Sequence, residues 1–281
     1  FDAPCIKACP TAIDIPSFIQ KIRSDNIRGS AKTIFRSNIL GASTARVCPV
    51  EELCLGACVF NDLDNKPIQI GKLQRFAVEK ALEQETKSNR LLFKVAPPVD
   101  KKVALIGAGP ASLSCAAYLE LEGIHTVIYE KSDLPGGLNT TGVAPYKFML
   151  VDAIDEISWL AKYGLNIQTG IEIGQDKTLE DLMVENDAVF LGIGMGKDLF
   201  PGIPGEELEN VWGASDLIRK IKKDGEFVLP DDLKKAIVVG GGNIAIDISR
   251  ELAMLGVPAV DIIYRRTTDV MSGYRHELIH A

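Results

Sequence analysis

The stretch Val103-Ala104-Leu105-Ile106-Gly107-Ala108-Gly109-Pro110-Ala111-Ser112 restricts the fold more than any other part of the chain. Four apolar residues in a row suit a buried strand, and the glycines after them let the backbone turn sharply and approach a pyrophosphate at the start of a helix. Gly107 makes the turn, and Gly109 has no side chain to collide with a dinucleotide. The small Ser112 stands where a third glycine or alanine usually lets the helix pack on the strand. The segment from Ala111 to Leu121 then has apolar helical periodicity, and a second strand, Thr126 to Tyr129, ends on Glu130. That carboxylate lies 23 residues after Gly107, near the spacing at which an acid binds ribose hydroxyls. An ordinary glycine-rich loop has no need of strand, turn, helix, strand and acid in this order.

The 281 residues suit two modest domains with a real core, and nothing in a composition of 46% hydrophobic residues suggests disorder. A net charge of -7 leaves no basic footprint for a nucleic-acid partner. No apolar run is long enough to span a bilayer and no signal-peptide pattern opens the chain, so no membrane is expected and the cytoplasm is the default location. Five of the six cysteines lie in the first 58 residues, a bias that scattered core cysteines do not show. The chain starts at Phe1 without an initiator methionine and reads as a fragment.

The opening carries Cys5, then Cys9-Pro10, Cys48-Pro49, Cys54 and Cys58. Between them, Asp14-Ile15-Pro16 places a capping acid and a first-turn proline before Phe18, Ile19 and Ile22, and a second apolar-periodic stretch runs from Ala31 to Ile39. Two short helices of this kind bring distant cysteines together. A disulfide framework is at odds with a cytoplasmic protein, and zinc sites usually show paired Cys-x2-Cys. Iron-sulfur ligation fits better than zinc or unpaired thiols, because thiolates followed by proline are typical of ferredoxin-like clusters.

The motifs Asp2-Ala3-Pro4-Cys5-Ile6-Lys7-Ala8-Cys9-Pro10, Arg46-Val47-Cys48-Pro49, Leu53-Cys54, Gly56-Ala57-Cys58 and Pro67-Ile68-Gln69-Ile70-Gly71-Lys72-Leu73-Gln74-Arg75-Phe76 resemble the cluster domain of dihydropyrimidine dehydrogenase. They are also similar, less specifically, to the small subunit of glutamate synthase and the large subunit of NADH-dependent ferredoxin:NADP oxidoreductase. The resemblance runs to the last residue. It implies two 4Fe-4S clusters, with Cys9, Cys48, Cys54 and Gln74 on one and Cys5 and Cys58 on the other. The second set is two ligands short, and in the family these come from a Cys-x2-Cys pair just before the point where this chain begins. Without the family, Gln74 reads as a polar residue on an exposed helix face. Cys115 reads as a small buried apolar residue.

Residues 86 to 102, with Pro97-Pro98 and mixed charges, read as a linker. Past Glu130, Pro135-Gly136-Gly137-Leu138 permits a second close backbone approach, and in the family these residues contact FAD. Alone, a Gly-Gly pair is only a turn. The resemblance also places Lys147 where the dehydrogenase has an arginine near the flavin, which keeps the charge and loses the planar fork. Ile173 falls at another flavin-contact position, although an apolar residue serves any core. Helix 151 to 162, strand Leu165 to Thr169, helix 178 to 185 and strand Ala188 to Gly192 continue an alternating pattern, and Gly192-Ile193-Gly194 with Ile203-Pro204-Gly205 mark a crossover.

A second unit of the first kind follows at Ala236-Ile237-Val238-Val239-Gly240-Gly241-Gly242-Asn243-Ile244-Ala245, so two dinucleotides are expected. Its next strand, Val260 to Tyr264, ends on Arg265-Arg266 instead of an acid. A 2'-phosphate needs positive charge at that place, whereas a free ribose hydroxyl prefers a carboxylate, so NADP is favoured over NAD. A solvated arginine pair at a strand end is the bland alternative. A further arginine of the mammalian-type dehydrogenase falls on Ser272 here, and His276 and His280 are expected on a solvated helix face. The family closes the nicotinamide domain and returns to the flavin domain after the point where this chain stops, so both dinucleotide domains are expected to be incomplete.

The expected fold class is α/β: a helical iron-sulfur domain (1-85), a linker (86-102) and two Rossmann-like dinucleotide-binding domains, for FAD (103-196) and NADP (197-281). The resemblance implies an oxidoreductase module that passes hydride from NADPH to FAD and electrons through 4Fe-4S clusters to an acceptor domain or subunit. That acceptor is an FMN barrel in dihydropyrimidine dehydrogenase and the large subunit in glutamate synthase. Alternatives are the glutamate synthase small subunit, the ferredoxin:NADP oxidoreductase large subunit and a non-catalytic docking subunit, against which the intact glycines, Glu130 and the arginine pair stand. No general acid or base is expected, because the cofactors carry the chemistry.

Overall fold

The computed structural model describes residues 3-63, 65-196, 198-223 and 227-279. Phe1 and Asp2 at the start of the cysteine motif, and His280, lie outside the described residues. In chain order the elements are α1 (Pro4–Lys7), α2 (Ile15–Arg23), α3 (Ile27–Ser37), α4 (Gly41–Val47), α5 (Ile70–Ser88), β1 (Lys102–Ile106), α6 (Pro110–Leu121), β2 (His125–Glu130), α7 (Leu138–Thr141), α8 (Leu150–Ala161), β3 (Asn166–Thr169), α9 (Leu179–Glu185), β4 (Ala188–Leu191), α10 (Ala214–Lys223), β5 (Lys235–Val239), α11 (Asn243–Met254), β6 (Ala259–Ile263) and α12 (Arg275–Ile279). The α/β class and its two strand-glycine-helix units are as expected.

Two compact units divide the chain: Phe1–Gly136 with Ile154–Gly194, and Gly137–Ala153 with Met195–Ala281. In the first, a parallel sheet of order β3-β2-β1-β4 places β1 where the winding direction reverses, which is where open α/β sheets bind their ligands. The cysteine-bearing helices precede that sheet. Asp14 accepts the Ser17 N–H at 3.1 Å and Pro16 enters the first turn, so α2 starts as the sequence predicts. Helix α3 starts earlier than the apolar pattern, at Ile27, because Asn26 caps Gly29 at 2.9 Å, and it ends before Ile39.

One hydrophobic core serves both parts of this unit. Phe18, Ile34, Phe35, Ala77 and Ala81 of the helices share it with Leu105, Leu113, Ile128, Trp159 and Leu160. Phe35 stacks on Trp159 with ring centroids 4.6 Å apart. Two buried carboxylates fasten the same seam. Glu156 on α8 accepts the N–H groups of Ala42 and Ser43, at 2.9 and 3.1 Å, and the Ser43 hydroxyl, so it caps α4, whose own N-cap residue Leu40 makes no side-chain bond. Glu85 accepts from the Leu92 N–H at 2.7 Å and the Trp159 indole at 3.1 Å.

The predicted linker is partly structure. Residues 86-88 form the last turn of α5, and Leu92 is buried. Arg28 donates to the carbonyls of Arg90 and Leu91, while Ala96 and Val99 donate to Leu121 and Gly123. Mixed charges and a proline pair describe the composition of this strap but not its fastening.

In the second unit β5 and β6 pair in parallel, with Val238, Ile248, Leu252 and Ile218 forming a separate small core. No helix among the described residues is long and apolar enough to cross a membrane.

Candidate functional site

The cysteines sit on tight local structure. After α4, the Val50 carbonyl accepts the N–H groups of Leu53, Leu55 and Gly56, which coils the chain around Cys54, and a side chain at Gly56 would run into the Glu51 carbonyl. The Cys48 N–H is held by the Thr44 carbonyl at 3.2 Å, and the Cys58 sulfur accepts the Ile68 N–H at 3.5 Å. Burial pushes the Cys54 thiol up to about 11, with the Cys9 and Cys48 thiols adding to the rise. Cys48 is raised by burial and then by Cys9. Cys5 is raised chiefly by burial, with smaller contributions from Cys58 and Cys9. Cys48 and Cys54 therefore both sense Cys9, and Cys5 senses Cys58 and Cys9.

These thiols are not gathered around a point. A single tetrahedral ion needs its sulfurs within about 4 Å of one another, and among the described residues no three His, Cys, Asp or Glu side chains are grouped tightly enough to hold one ion. A four-iron cluster spreads its thiolates over a larger cage, and its positive iron would relieve the burial and mutual repulsion that hold these thiols protonated. The donor set fits such a cluster. Gln74 is buried, contrary to the exposed helix face that its polarity alone indicates. Its amide nitrogen donates to the Gly41 carbonyl at 2.9 Å and the Thr44 hydroxyl at 3.0 Å. Cys115, half-buried on α6, packs against the shared core.

At the first glycine loop, Gly107 has φ +87 and its N–H bonds the Tyr129 carbonyl at 2.7 Å; a Cβ there would stand 2.6 Å from the Gly192 carbonyl oxygen. A Cβ on Gly109 would meet only that same oxygen, at 3.9 Å, so the loop leaves the open cradle that a pyrophosphate requires. Helix α6 starts at Pro110 with no side-chain cap, and among the described residues no side chain accepts the amides of its first turn at Ala111 and Ser112. The Ser112 side chain is fully buried, and a Cβ on Gly192 would collide with it, so it packs helix on strand in the manner the small residue predicts. Glu130 is fixed at the loop mouth: one carboxylate oxygen accepts the Ala108 N–H at 2.7 Å, the other the Ser132 N–H and hydroxyl at 2.9 and 2.8 Å. The Gly136 N–H bonds the Ala108 carbonyl at 2.8 Å. Ile173 packs beside Tyr129 and Leu182 in a small core.

In the second unit Gly137 caps α7 with φ +55 and Leu138 is exposed. The Lys147 ammonium is held between Asp247 and Glu277, at 2.7 Å from each. At the second loop the Gly240 N–H bonds the Ile263 carbonyl at 2.9 Å, Gly242 opens α11, and Ile244 is exposed on its first turn. Sequence reasoning missed the segment that folds back on this loop: Gly273 donates to the Gly241 carbonyl at 2.9 Å and Tyr274 to the Asn243 side chain at 2.8 Å. Arg265 and Arg266 follow β6 after Tyr264, are exposed, and make no ion pair among the described residues. His276 is not on a solvated face; it is half-buried and stacks on Tyr274 with ring planes 8° apart. Nothing in the sequence pairs Ser132 with Glu130 or Thr44 with Gln74.

Residues 1–86 match the family model described as dihydropyrimidine dehydrogenase domain II, 4Fe-4S cluster, and residues 101–280 match that of pyridine nucleotide-disulphide oxidoreductases. Among curated relatives, the NAD-dependent dihydropyrimidine dehydrogenase subunit PreT of Escherichia coli O157:H7 is 37% identical over 283 residues, covering 100% of this chain and 66% of the relative. The NADPH glutamate synthase small chain of Halomonas elongata is 34% identical, covering 99% of this chain and 59% of the relative. The chain thus spans 66% or less of the length of these two relatives. The Mycobacterium tuberculosis FprA structure in complex with NADPH superimposes with a TM-score of 0.52 at 23% identity, over 64% of this chain and 46% of that one, a likeness of fold. The two matched domains imply a 4Fe-4S cluster, FAD and a pyridine nucleotide as cofactors. With cysteine helices and glycine loops each matched over their own stretch, the chain belongs to the pyridine nucleotide-disulphide oxidoreductases, among those led by a dihydropyrimidine dehydrogenase-type iron-sulfur domain.

Proposed function

We propose that the full-length protein is an electron-input module of the dihydropyrimidine dehydrogenase type, taking reducing equivalents from NADPH and delivering electrons to an active site on a partner domain or subunit in the cytoplasm. The observation that carries this reading is the shared core: Cys5, Cys9 and Cys54 pack against the same apolar cluster as Leu105 and Leu113, which flank the first glycine loop. When bound, FAD exchanges an electron pair with nicotinamide and the 4Fe-4S clusters carry single electrons.

In this reading residues 1-85 hold the clusters, through Cys9, Cys48, Cys54 and Gln74 for one and Cys5 and Cys58 for the other. Residues 86-102 connect to an FAD domain (103-196), in which the amides from Gly107 to Ser112 receive the pyrophosphate and Glu130 the ribose. Gly137, Leu138 and Ile173 are further flavin contacts, as is Lys147, whose ammonium is already engaged by two carboxylates. Residues 197-281 bind the nicotinamide nucleotide at Gly240 to Ile244, with Arg265 and Arg266 on its 2'-phosphate. The PreT relatives are named NAD-dependent and the glutamate synthase small chains are named for NADPH; the arginine pair supports NADPH in this reading.

The test is Cys54→Ser in the full-length protein. NADPH-dependent bleaching of the flavin is expected to persist while reduction of the acceptor stops; acceptor reduction at the parent rate overturns the electron path. A second reading, the glutamate synthase small subunit, is favoured by relatives at 34% and 32% identity. An FMN-barrel partner that takes electrons from the NADPH-reduced protein supports the first reading, and a glutamine amidotransferase partner the second.

A further inference from the structure

Gln74 is a side chain with two chemically different ends, and only its oxygen can donate a lone pair to iron. Its orientation is settled by its neighbours. The Gly41 carbonyl can only accept, so the group 2.9 Å from it must be the NH2 end, and the same nitrogen reaches the Thr44 hydroxyl at 3.0 Å. Thr44 can receive that bond because its own proton goes to the Leu40 carbonyl, 3.1 Å away, while Asn38 Nδ2 donates to the same oxygen at 2.7 Å. The hydroxyl is then complete, with one bond given and two accepted. The Thr44 carbonyl meanwhile accepts the Cys48 N–H at 3.2 Å, so one residue grips the glutamine by its side chain and the following cysteine by its backbone. One turn before Gln74 on α5, a Cβ at Gly71 would stand 3.0 Å from Val50, two residues past Cys48, so this face of the helix looks toward the cysteine turn.

We propose that Thr44 is a positioning residue for the iron-sulfur cluster of Cys9, Cys48 and Cys54: together with the Gly41 carbonyl it holds the Gln74 NH2 end, so that the oxygen is the end left for iron, and it sets that oxygen in register with the Cys48 turn. This rests on the reading of Gln74 as a ligand, which the experiment tests separately. Valine has the shape of threonine without the hydroxyl; it leaves the Gln74 NH2 end held by the Gly41 carbonyl alone, so the amide oxygen is set less firmly toward iron.

The measurement is the electron paramagnetic resonance spectrum and midpoint potential of this cluster in the full-length holoprotein, with iron content and circular dichroism on the same samples. Gln74→Ala is expected to shift both. Thr44→Val is expected to shift them in the same direction, and Thr44→Ser, which keeps the hydroxyl, to restore the parent values. A shifted Q74A beside an unshifted T44V overturns the positioning role and leaves the ligand reading standing; an unshifted Q74A overturns both. A T44S as displaced as T44V assigns the effect to packing and likewise overturns it. If T44V takes up no iron, Asn38→Ala carries the test: loss of the donor that orients the Thr44 hydroxyl is expected to move the spectrum in the Q74A direction, and a parental N38A spectrum overturns the proposal.

Discussion

The buried carboxylate of Glu156 accepts the backbone N–H of Ala42 at 2.9 Å across 114 residues of sequence, and so supplies the cap that helix α4 lacks. Glu156→Ala leaves the Ala42 and Ser43 amides without their acceptor and is expected to cost roughly 2–4 kcal/mol. Glu156→Gln keeps an acceptor and is expected to stay within about 1.5 kcal/mol of the parent. Burial raises the Glu156 pKa above its usual 4.5. The folded state thus holds a proton that the unfolded state has released, and the contribution of this group is complete below 4.5 and is lost as pH rises through the folded value. Melting temperatures of parent and E156Q over pH should therefore diverge in favour of the variant as pH rises, and a constant difference would count against the buried proton.

Gly107→Ala combines two penalties, a φ of +87 and a Cβ 2.6 Å from the Gly192 carbonyl. Gly174→Ala carries only the first, since its φ is +98 with no atom within 4 Å. The backbone term is roughly 1–3 kcal/mol. G107A is expected to lose more stability than G174A by thermal denaturation and to bind less flavin per chain; equal losses would show that the close approach to β4 is not needed.

Replacing Arg265 and Arg266 together by alanine is expected to weaken NADPH binding by a few kcal/mol, on the order of two charge-assisted contacts, and to leave NADH almost untouched. Titration of the full-length protein with both nucleotides decides this, and equal losses would refute a 2'-phosphate role.

Lys222 donates to the carbonyls of Asn139 and Val143 at 2.7 and 3.0 Å, and burial depresses its pKa from 10.5 to about 8. A depressed lysine gives up its proton on folding, so its contribution is present above 10.5 and lost as pH falls through about 8. The stability of the parent relative to Lys222→Met should consequently rise between about 8 and 10.5, as followed by melting temperature. A flat difference across that window would mean that the ammonium stays charged in place.

Much of the fold is legible because its signals are local. The apolar runs at Val103 and Ala236, with the glycines after them, dictate strand and turn within ten residues, and β1, α6, β5 and α11 form where they point. The edges drift where a cap decides them, as Asn26 does for α3. What escapes the sequence is what distant residues do to one another. Gln74 has the polarity of a surface residue, and the carbonyl of Gly41 and the hydroxyl of Thr44, 33 and 30 positions earlier, account for its burial. The strap after α5 has the composition of a free linker, yet Arg28, Glu85 and Tyr163 hold its backbone. His276 has no local signal for its stacking on Tyr274, which depends on the return of the chain to the second loop.

The stacking of Phe35 on Trp159 bears on how such a chain can be inherited. A cysteine-bearing segment that completed its own core could be shuffled between unrelated flavoproteins as a cassette. Here the buried Phe35 finds its stacking partner in α8, beyond the sheet strands β1 and β2, and α4 borrows a carboxylate from the same helix. Transplanting the first 85 residues alone would expose Phe35 and strand the amides of α4, so recombination is constrained to move the two halves together.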